Sequence, residues 1–169
     1  MRSVLFVMVL SGVMMACGGS KSTTTQKARI PNCETIEVDM EKGTIEGFAL
    51  SKDPLSFKAQ FPCHTRDTTF TCGTMQIYRE HGFAFLPAKD ALILYDNFRG
   101  RPSAPAISLG TQEASKYYGE PVRTFTEDGK RVQVYAREYG SLILIFNDRD
   151  KAEQVQLHST GPEDVRPCL

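Results

Sequence analysis

The chain has no tryptophan and only three histidines, and neither sign of charge is in excess: Lys and Arg number 20, and so do Asp and Glu. A nucleic-acid-binding surface needs a basic stripe, so this balance argues against nucleic acid as a partner. The hydrophobic fraction of 41% excludes a disordered chain, and 169 residues suit one domain or two very small ones. Signatures of covalent catalysis are missing too. Gly-x-Ser-x-Gly, Ser-x-x-Lys and His-Glu-x-x-His do not occur, and the nearest glycine pair to a phosphate-cradling loop, Gly18-Gly19, lies in a polar stretch.

What is present begins with an apolar segment. Arg2 gives a positive start, and residues 4–16 follow without a charge. About 20 apolar residues are needed to span a bilayer, so this run is too short; with small residues at its end it reads as a secretory signal over residues 1–16. The end, Met14-Met15-Ala16-Cys17, resembles the lipobox of bacterial lipoproteins. Ala16 and Cys17 fit that pattern; Met14 and Met15 depart from its commonest residues. The resemblance implies cleavage before Cys17 and acyl chains such as palmitate on that residue. It also implies membrane attachment in the cell envelope, and Gly18 is compatible with the outer membrane, facing periplasm or cell surface. Each buried acyl CH₂ contributes about 0.8 kcal/mol, so two or more chains anchor durably. Residues 17–27, polar and rich in Gly, Ser and Thr, read as a flexible tether.

Four further cysteines, Cys33, Cys63, Cys72 and Cys168, form an even set that reads as two disulfides in an exported chain. The short segment between Cys63 and Cys72 suggests a local loop, and hence the pairing Cys63–Cys72 with Cys33–Cys168. A zinc site from Cys63, His64, Cys72 and His81 is the poorer reading, because adjacent residues on a strand point to opposite faces. No cofactor is expected.

Residues 28–169 read as the folded domain. Ile36, Val38 and Met40 alternate with acidic residues as in a half-buried strand, and 44–50 reads as a second strand. Asp53-Pro54 marks a helix start, with Phe57 and Phe61 on one face. Strands are expected at 68–71, 75–79, 83–86 and 91–95. Residues 97–105 read as a Gly/Pro/Arg linker. A second helix begins near Thr111 and stops at Gly119. Strands follow at 122–126, 131–137, 142–146 and 152–158, with a tight hairpin at Asp128-Gly129. The apolar run Leu142-Ile143-Leu144-Ile145-Phe146 suits a central strand covered on both faces. Matching markers, such as Gln76-Ile77-Tyr78 and Gln133-Val134-Tyr135, recur at offsets of 57 to 59 residues. That repetition suggests an α+β fold of two tandem helix-plus-antiparallel-sheet units, disulfide-tied, at about 44–96 and 107–158.

The second stretch carries Leu109-Gly110-Thr111, a short helix, Gly119-Glu120-Pro121, a Tyr135 strand and an apolar strand. This layout resembles the small lipoprotein domain of the SmpA/OmlA type, found in outer-membrane assembly machinery. It is also similar to the tandem units of β-lactamase inhibitory proteins. The resemblance covers about fifty residues and implies a protein-binding role. Cys63, Cys72 and the strands near Ile36 and Ile45 lie outside it.

For catalysis the best grouping is Glu80-His81 with Asp90 or Asp96, a His beside carboxylates; at a hairpin end it reads as solvated. His158, ending the last strand, reads as exposed. Tyr78, Tyr135 and Tyr139 are the candidate binding residues, since a sheet covered by a helix on one face leaves tyrosines on the other free to bind protein; core and interface both fit Tyr78 and Tyr135. The sequence therefore points to a non-enzymatic, membrane-anchored module that binds another envelope protein as assembly factor, inhibitor or immunity-like protein. A small periplasmic hydrolase or ligand carrier is the alternative.

Overall fold

The computed structural model describes Cys33 and residues 35–50 and 53–169. The expected signal peptide, Cys17 and tether lie outside the described residues. Three short strands open the fold: β1 (Glu37–Asp39), β2 (Thr44–Ile45) and β3 (Phe48–Ala49). Then come helix α1 (Pro54–Gln60) and strands β4 (Arg66–Phe70), β5 (Gly73–Tyr78), β6 (Phe83–Leu86) and β7 (Ala91–Tyr95). Strand β8 (Arg101–Pro102) and helix α2 (Thr111–Tyr118) lead to β9 (Arg123–Glu127), β10 (Lys130–Arg137), β11 (Gly140–Phe146) and β12 (Ala152–His158).

The fold is mostly β. The expectation of two tandem helix-plus-sheet units is corrected by the strand order: one eight-stranded sheet runs β4-β5-β6-β7-β12-β11-β10-β9, and a four-stranded sheet runs β3-β2-β1-β8. The eight strands form one surface because β7 pairs with β12 over five residue pairs, from Gln154–Tyr95 to His158–Ala91. Burial explains the pairing. Ala91 to Leu94 in β7 and Val155 and Leu157 in β12 are fully buried, and two separate sheets would leave these strands as apolar open edges. Helices of seven and eight residues are also too small to shield a sheet each.

Local signals account for most elements. Asp53 caps α1 by accepting Leu55 and Ser56 N–H, with Pro54 at the first helical position. The α2 cap is Gly110 rather than Thr111, and the Glu113 carboxylate accepts the Gly110 N–H at 2.8 Å. Asp128 (φ 50°) and Gly129 (φ 78°) make the expected hairpin turn. The strand expected over 44–50 is instead a hairpin, β2 and β3 joined by Glu46-Gly47. The expected linker holds β8, which pairs in parallel with β1 at Glu37–Arg101 and Val38–Pro102.

The main core lies between the first face of the large sheet and the layer made by α1, α2 and the small sheet. It joins Phe57, Phe61, Tyr78, Phe83, Phe85, Tyr135 and Phe146 to Ile36, Val38 and Ile45. The second face is covered by the C-terminal segment. Val165 packs on Val132, Val134, Ile143 and Ile145, and Cys168 packs on Met75, Leu86 and Ile93. This segment is a strap. Arg123 Nη1 donates to the carbonyls of Pro162 (2.7 Å), Glu163 and Val165 at one side of the sheet. At the other side Cys168 is bonded to Cys72.

All four expected half-cystines are bonded, but the pairs are Cys33–Cys63 and Cys72–Cys168, with Cα–Cα distances of 6.1 and 5.7 Å. The expected Cys63–Cys72 and Cys33–Cys168 pairs are corrected for a geometric reason. The segment between Cys63 and Cys72 is strand β4, and a strand advances about 3.3 Å per residue. It therefore carries the two cysteines well beyond the roughly 7 Å Cα limit of a bridge. Cys63 packs with the first-face core and Cys168 with the second, so each bridge staples one face.

Candidate functional site

Tyr78 and Tyr135 are 0% exposed, so of the two readings that fit them, core and interface, both side chains are core. Tyr78 stacks on Phe83 (centroids 4.3 Å) and meets Phe57 and Phe61 edge-on. The Tyr135 hydroxyl donates to Gln133 Oε1 at 2.8 Å, and its ring lies 5.6 Å from that of Tyr118. Tyr139 is partly buried against the same core. Gly43, at φ 62°, turns directly above its ring, where a Cβ would collide with it. Burial raises the hydroxyl pKa of Tyr78, Tyr118, Tyr135 and Tyr139. Replacing Tyr135 with Phe is expected to cost about 1 kcal/mol, one buried hydrogen bond, read as a shifted urea midpoint with unchanged slope.

The Glu80-His81-Asp90 grouping is not assembled. His81 stands at the start of β6 and Asp90 just beyond its end, where the Asp90 carboxylate accepts the Ser159 hydroxyl at 3.1 Å. Glu80 and Asp96 are exposed. His81 does lie beside a bridge: its ring nitrogen and the sulfurs of Cys33 and Cys63 fall within 4.8 Å of one another. Those sulfurs are bonded to each other, so the trio offers no thiolate ligand. Cys63 and Cys72 sit in different bridges, and the four-ligand zinc set does not form.

His158, expected at the surface, is 1% exposed. The strap covers it. Gln156 presents its amide to Cys168 as a backbone would: Nε2 donates to Cys168 O at 2.8 Å, and Oε1 accepts Cys168 N–H at 3.1 Å. Gln156 Oε1 is thus an acceptor, and His158 Nε2, 2.9 Å away, is the donor. The other ring nitrogen, Nδ1, is buried without a partner among the described residues. Burial, with a smaller contribution from Lys89, lowers the His158 pKa to about 4. A cavity of about 260 Å³ beside it is lined also by Lys89, Thr160, Asp164 and Arg166.

With both faces of the large sheet packed, its accessible backbone lies at the edges. Strand β4 ends the sheet on one side. Its hairpin with β5 closes on the Phe70–Gly73 pair, so ladder alternation turns the N–H and C=O of Arg66, Thr68 and Phe70 toward β5 and those of Asp67 and Thr69 outward. Beside this edge a groove of about 280 Å³ runs between α1 and β5, lined by Pro54, Lys58, Asp67, Thr74, Gln76 and Ala88. Gln76 Nε2 donates to Pro54 O at 2.8 Å, fixing the helix to the groove floor. Asp67 accepts from Lys58 Nζ at 2.7 Å and pairs with His64 Nε2 at 2.9 Å; the Lys58 hydrogen bond first, then His64, keeps its carboxyl pKa low. Leu55, 75% exposed, and Phe70, 44% exposed, stand on the neighbouring elements α1 and β4. Sequence reasoning expected a strand at 68–71 inside a disulfide-closed hairpin or loop; the signal of its edge position was the Arg-Asp-Thr-Thr run, polar on both faces as an edge strand is.

No protein-family model, no curated protein and no solved structure matches the chain.

Proposed function

We propose that the chain is a lipid-anchored envelope lipoprotein, held by Cys17, probing the outer-membrane surface with a domain that binds another envelope protein and performs no catalysis of its own. The observation that supports this reading is the open edge of β4 beside the α1 groove. An extended segment of the partner adds to β4, hydrogen-bonding the outward Asp67 and Thr69 backbone. Alternate side chains of that segment reach the groove, the arrangement by which strand addition combines affinity with selectivity. Exposed Leu55 on α1 supplies apolar contact beside the groove. Tethering to the same membrane raises the partner's effective concentration, so modest intrinsic affinity suffices.

The test is a photo-crosslinking residue placed at Thr69 in cells. It should trap an envelope protein. Thr69→Pro removes an outward N–H that the sheet does not use, and it should cut capture by the unmodified edge at least tenfold while the unfolding midpoint stays near wild type. Cys17→Ser should abolish acylation and reduce capture through lost tethering. Undiminished capture by Thr69→Pro would rule out the β4 edge; continued acylation of Cys17→Ser would rule out the lipoprotein reading.

A further inference from the structure

The other edge of the large sheet is β9, with the sequence Arg123-Thr124-Phe125-Thr126-Glu127. Read from its middle outward, this strand is antisymmetric in charge: Phe125 at the centre, threonines on both sides, then Arg at one end and Glu at the other. Its hairpin closes on the Glu127–Lys130 pair, and Phe125–Val132 and Arg123–Val134 follow two and four steps on. Alternation turns the backbone of residues 123, 125 and 127 toward β10 and leaves the N–H and C=O of Thr124 and Thr126 pointing outward. Beyond Arg123 the alternation ends: the Val122 N–H also turns to Val134 O, at 2.8 Å, so that two residues of this strand oppose one of β10.

We infer that β9 is a self-recognition edge, and that a second copy of this chain pairs with it antiparallel about a two-fold axis at Phe125. In that register Thr124 of each copy exchanges two backbone hydrogen bonds with Thr126 of the other, four in all. Phe125 faces the second copy's Phe125 at a non-hydrogen-bonded position, where Cα atoms approach to about 4.5 Å and aromatic pairs stabilise. Arg123 faces the second copy's Glu127 twice over. Any one-residue slip breaks this match and sets the side chains on the wrong face.

Two observations single out this occupant. Neither Arg123 nor Glu127 forms an ion pair among the described residues, although seven such pairs form elsewhere. And Arg123 is already ordered: Nη1 is held by the strap carbonyls and the guanidinium lies 5.0 Å over the Phe125 ring. Its Nη2 and Nε make no hydrogen bond among the described residues. Side-chain entropy is thus largely lost before the second copy arrives. The resulting interface is isologous and closed, and it joins two sheets into one continuous sheet. Five residues a side are fewer than a stable interface of about 1,600 Å² employs, so the dimer is weak in dilute solution and favoured on a membrane.

The full chain in detergent, across a concentration series in sedimentation equilibrium, should show a monomer–dimer equilibrium. Glu127→Arg, which brings four cations together, should weaken dimerisation at least tenfold, and Thr126→Pro should do the same by removing an outward N–H. Register is read by cysteine crosslinking under mild oxidation. Phe125→Cys should give covalent dimers. Thr124→Cys alone should give at least tenfold fewer, and Thr124→Cys mixed with Thr126→Cys should recover them. Monomer at all concentrations, dimers indifferent to Glu127→Arg, or Thr124→Cys crosslinking as well as Phe125→Cys would each overturn the inference. The β4 edge takes no part in these variants, so partner capture there is scored separately.

Discussion

Replacing Cys72 and Cys168 together with alanine should lower stability by about 4–5 kcal/mol, the largest loss from removing either bridge. The Cys72–Cys168 closure spans 96 residues against 30 for Cys33–Cys63, and the entropy removed from the unfolded chain grows with the logarithm of the loop. By that relation alone the shorter bridge contributes about 3.5 kcal/mol. The longer bridge also holds the strap on the second face. Without it, Cys168 keeps only its amide pairing with Gln156 and the Gln154 hydrogen bond to its carbonyl. Val132, Val134, Ile143 and Ile145 then depend on Val165 and the partly buried Phe125 for cover. Urea unfolding of the Cys72→Ala/Cys168→Ala and Cys33→Ala/Cys63→Ala proteins should rank them in that order. Hydrogen exchange should show faster opening of β12 in the first. The reverse ranking would mean that the strap is held by its carbonyl contacts with Arg123 and not by the bridge.

Several elements were legible because their causes are local. Ile36, Val38 and Met40 alternate with acidic residues and are buried as that alternation requires. Asp128-Gly129 adopts the positive φ values its hairpin needs. Leu142 to Ile145 are buried on both faces, as a wholly apolar strand must be. What escaped is non-local. Parallel pairing of β8 with β1 joins residues 64 apart, and Arg-Gly-Arg-Pro carries no strand periodicity. Glu46 takes a positive φ of 51°, a turn that composition does not announce. The merger of eight strands into one sheet depends on which apolar strand meets which, and periodicity is silent on partners. The repeated Gln-x-Tyr markers marked buried tyrosines, because a chain without tryptophan fills its core with Phe and Tyr.

The candidate site was harder to read, for a related reason. An edge is defined by a missing neighbour, which no residue encodes. Four half-cystines were recognisable as bonded but not as paired, and the wrong pairing made the strand expected at 68–71 part of a closed local loop and not a sheet edge. The strap was invisible because its polar residues are held through their backbone carbonyls: Arg123 reads Pro162, Glu163 and Val165 without using their side chains. His158 looked exposed because a strand end usually is. Its burial comes from that strap.

That burial sets the pH dependence of the fold. His158 is neutral in the folded state, its pKa lowered to about 4 from an ordinary 6.5 by burial first and Lys89 second. As pH falls below 6.5 the unfolded chain takes up a proton that the folded chain refuses. Stability contributed by the neutral ring is therefore complete above pH 6.5 and lost progressively down to about pH 4. The full loss is about 3 kcal/mol, from roughly 1.4 kcal/mol per pH unit over that interval. The groups around the ring do not reverse the sign. Lys89 and Arg166 line the adjoining cavity and oppose a second cation, Asp164 lines it from the strap, and Asp90 accepts from Ser159 through Oδ2, its buried Oδ1 having no partner among the described residues. The lowered carboxylates Asp39 and Asp67 lose their contributions below this window, and the exposed Glu113 begins to lose its own only at the acid end of it, near its ordinary value of 4.5. Urea unfolding at intervals between pH 7.5 and 4 should show the decline, and His158→Gln should flatten it. Protonation at Nδ1 would place a cation against Lys89 and beneath Cys168, so the first structural response to acid should be loosening of the strap. Hydrogen exchange should report it at Cys168 and Val165 before β11 opens. A wild-type curve as flat as that of His158→Gln would show that the ring is protonated without leaving its site.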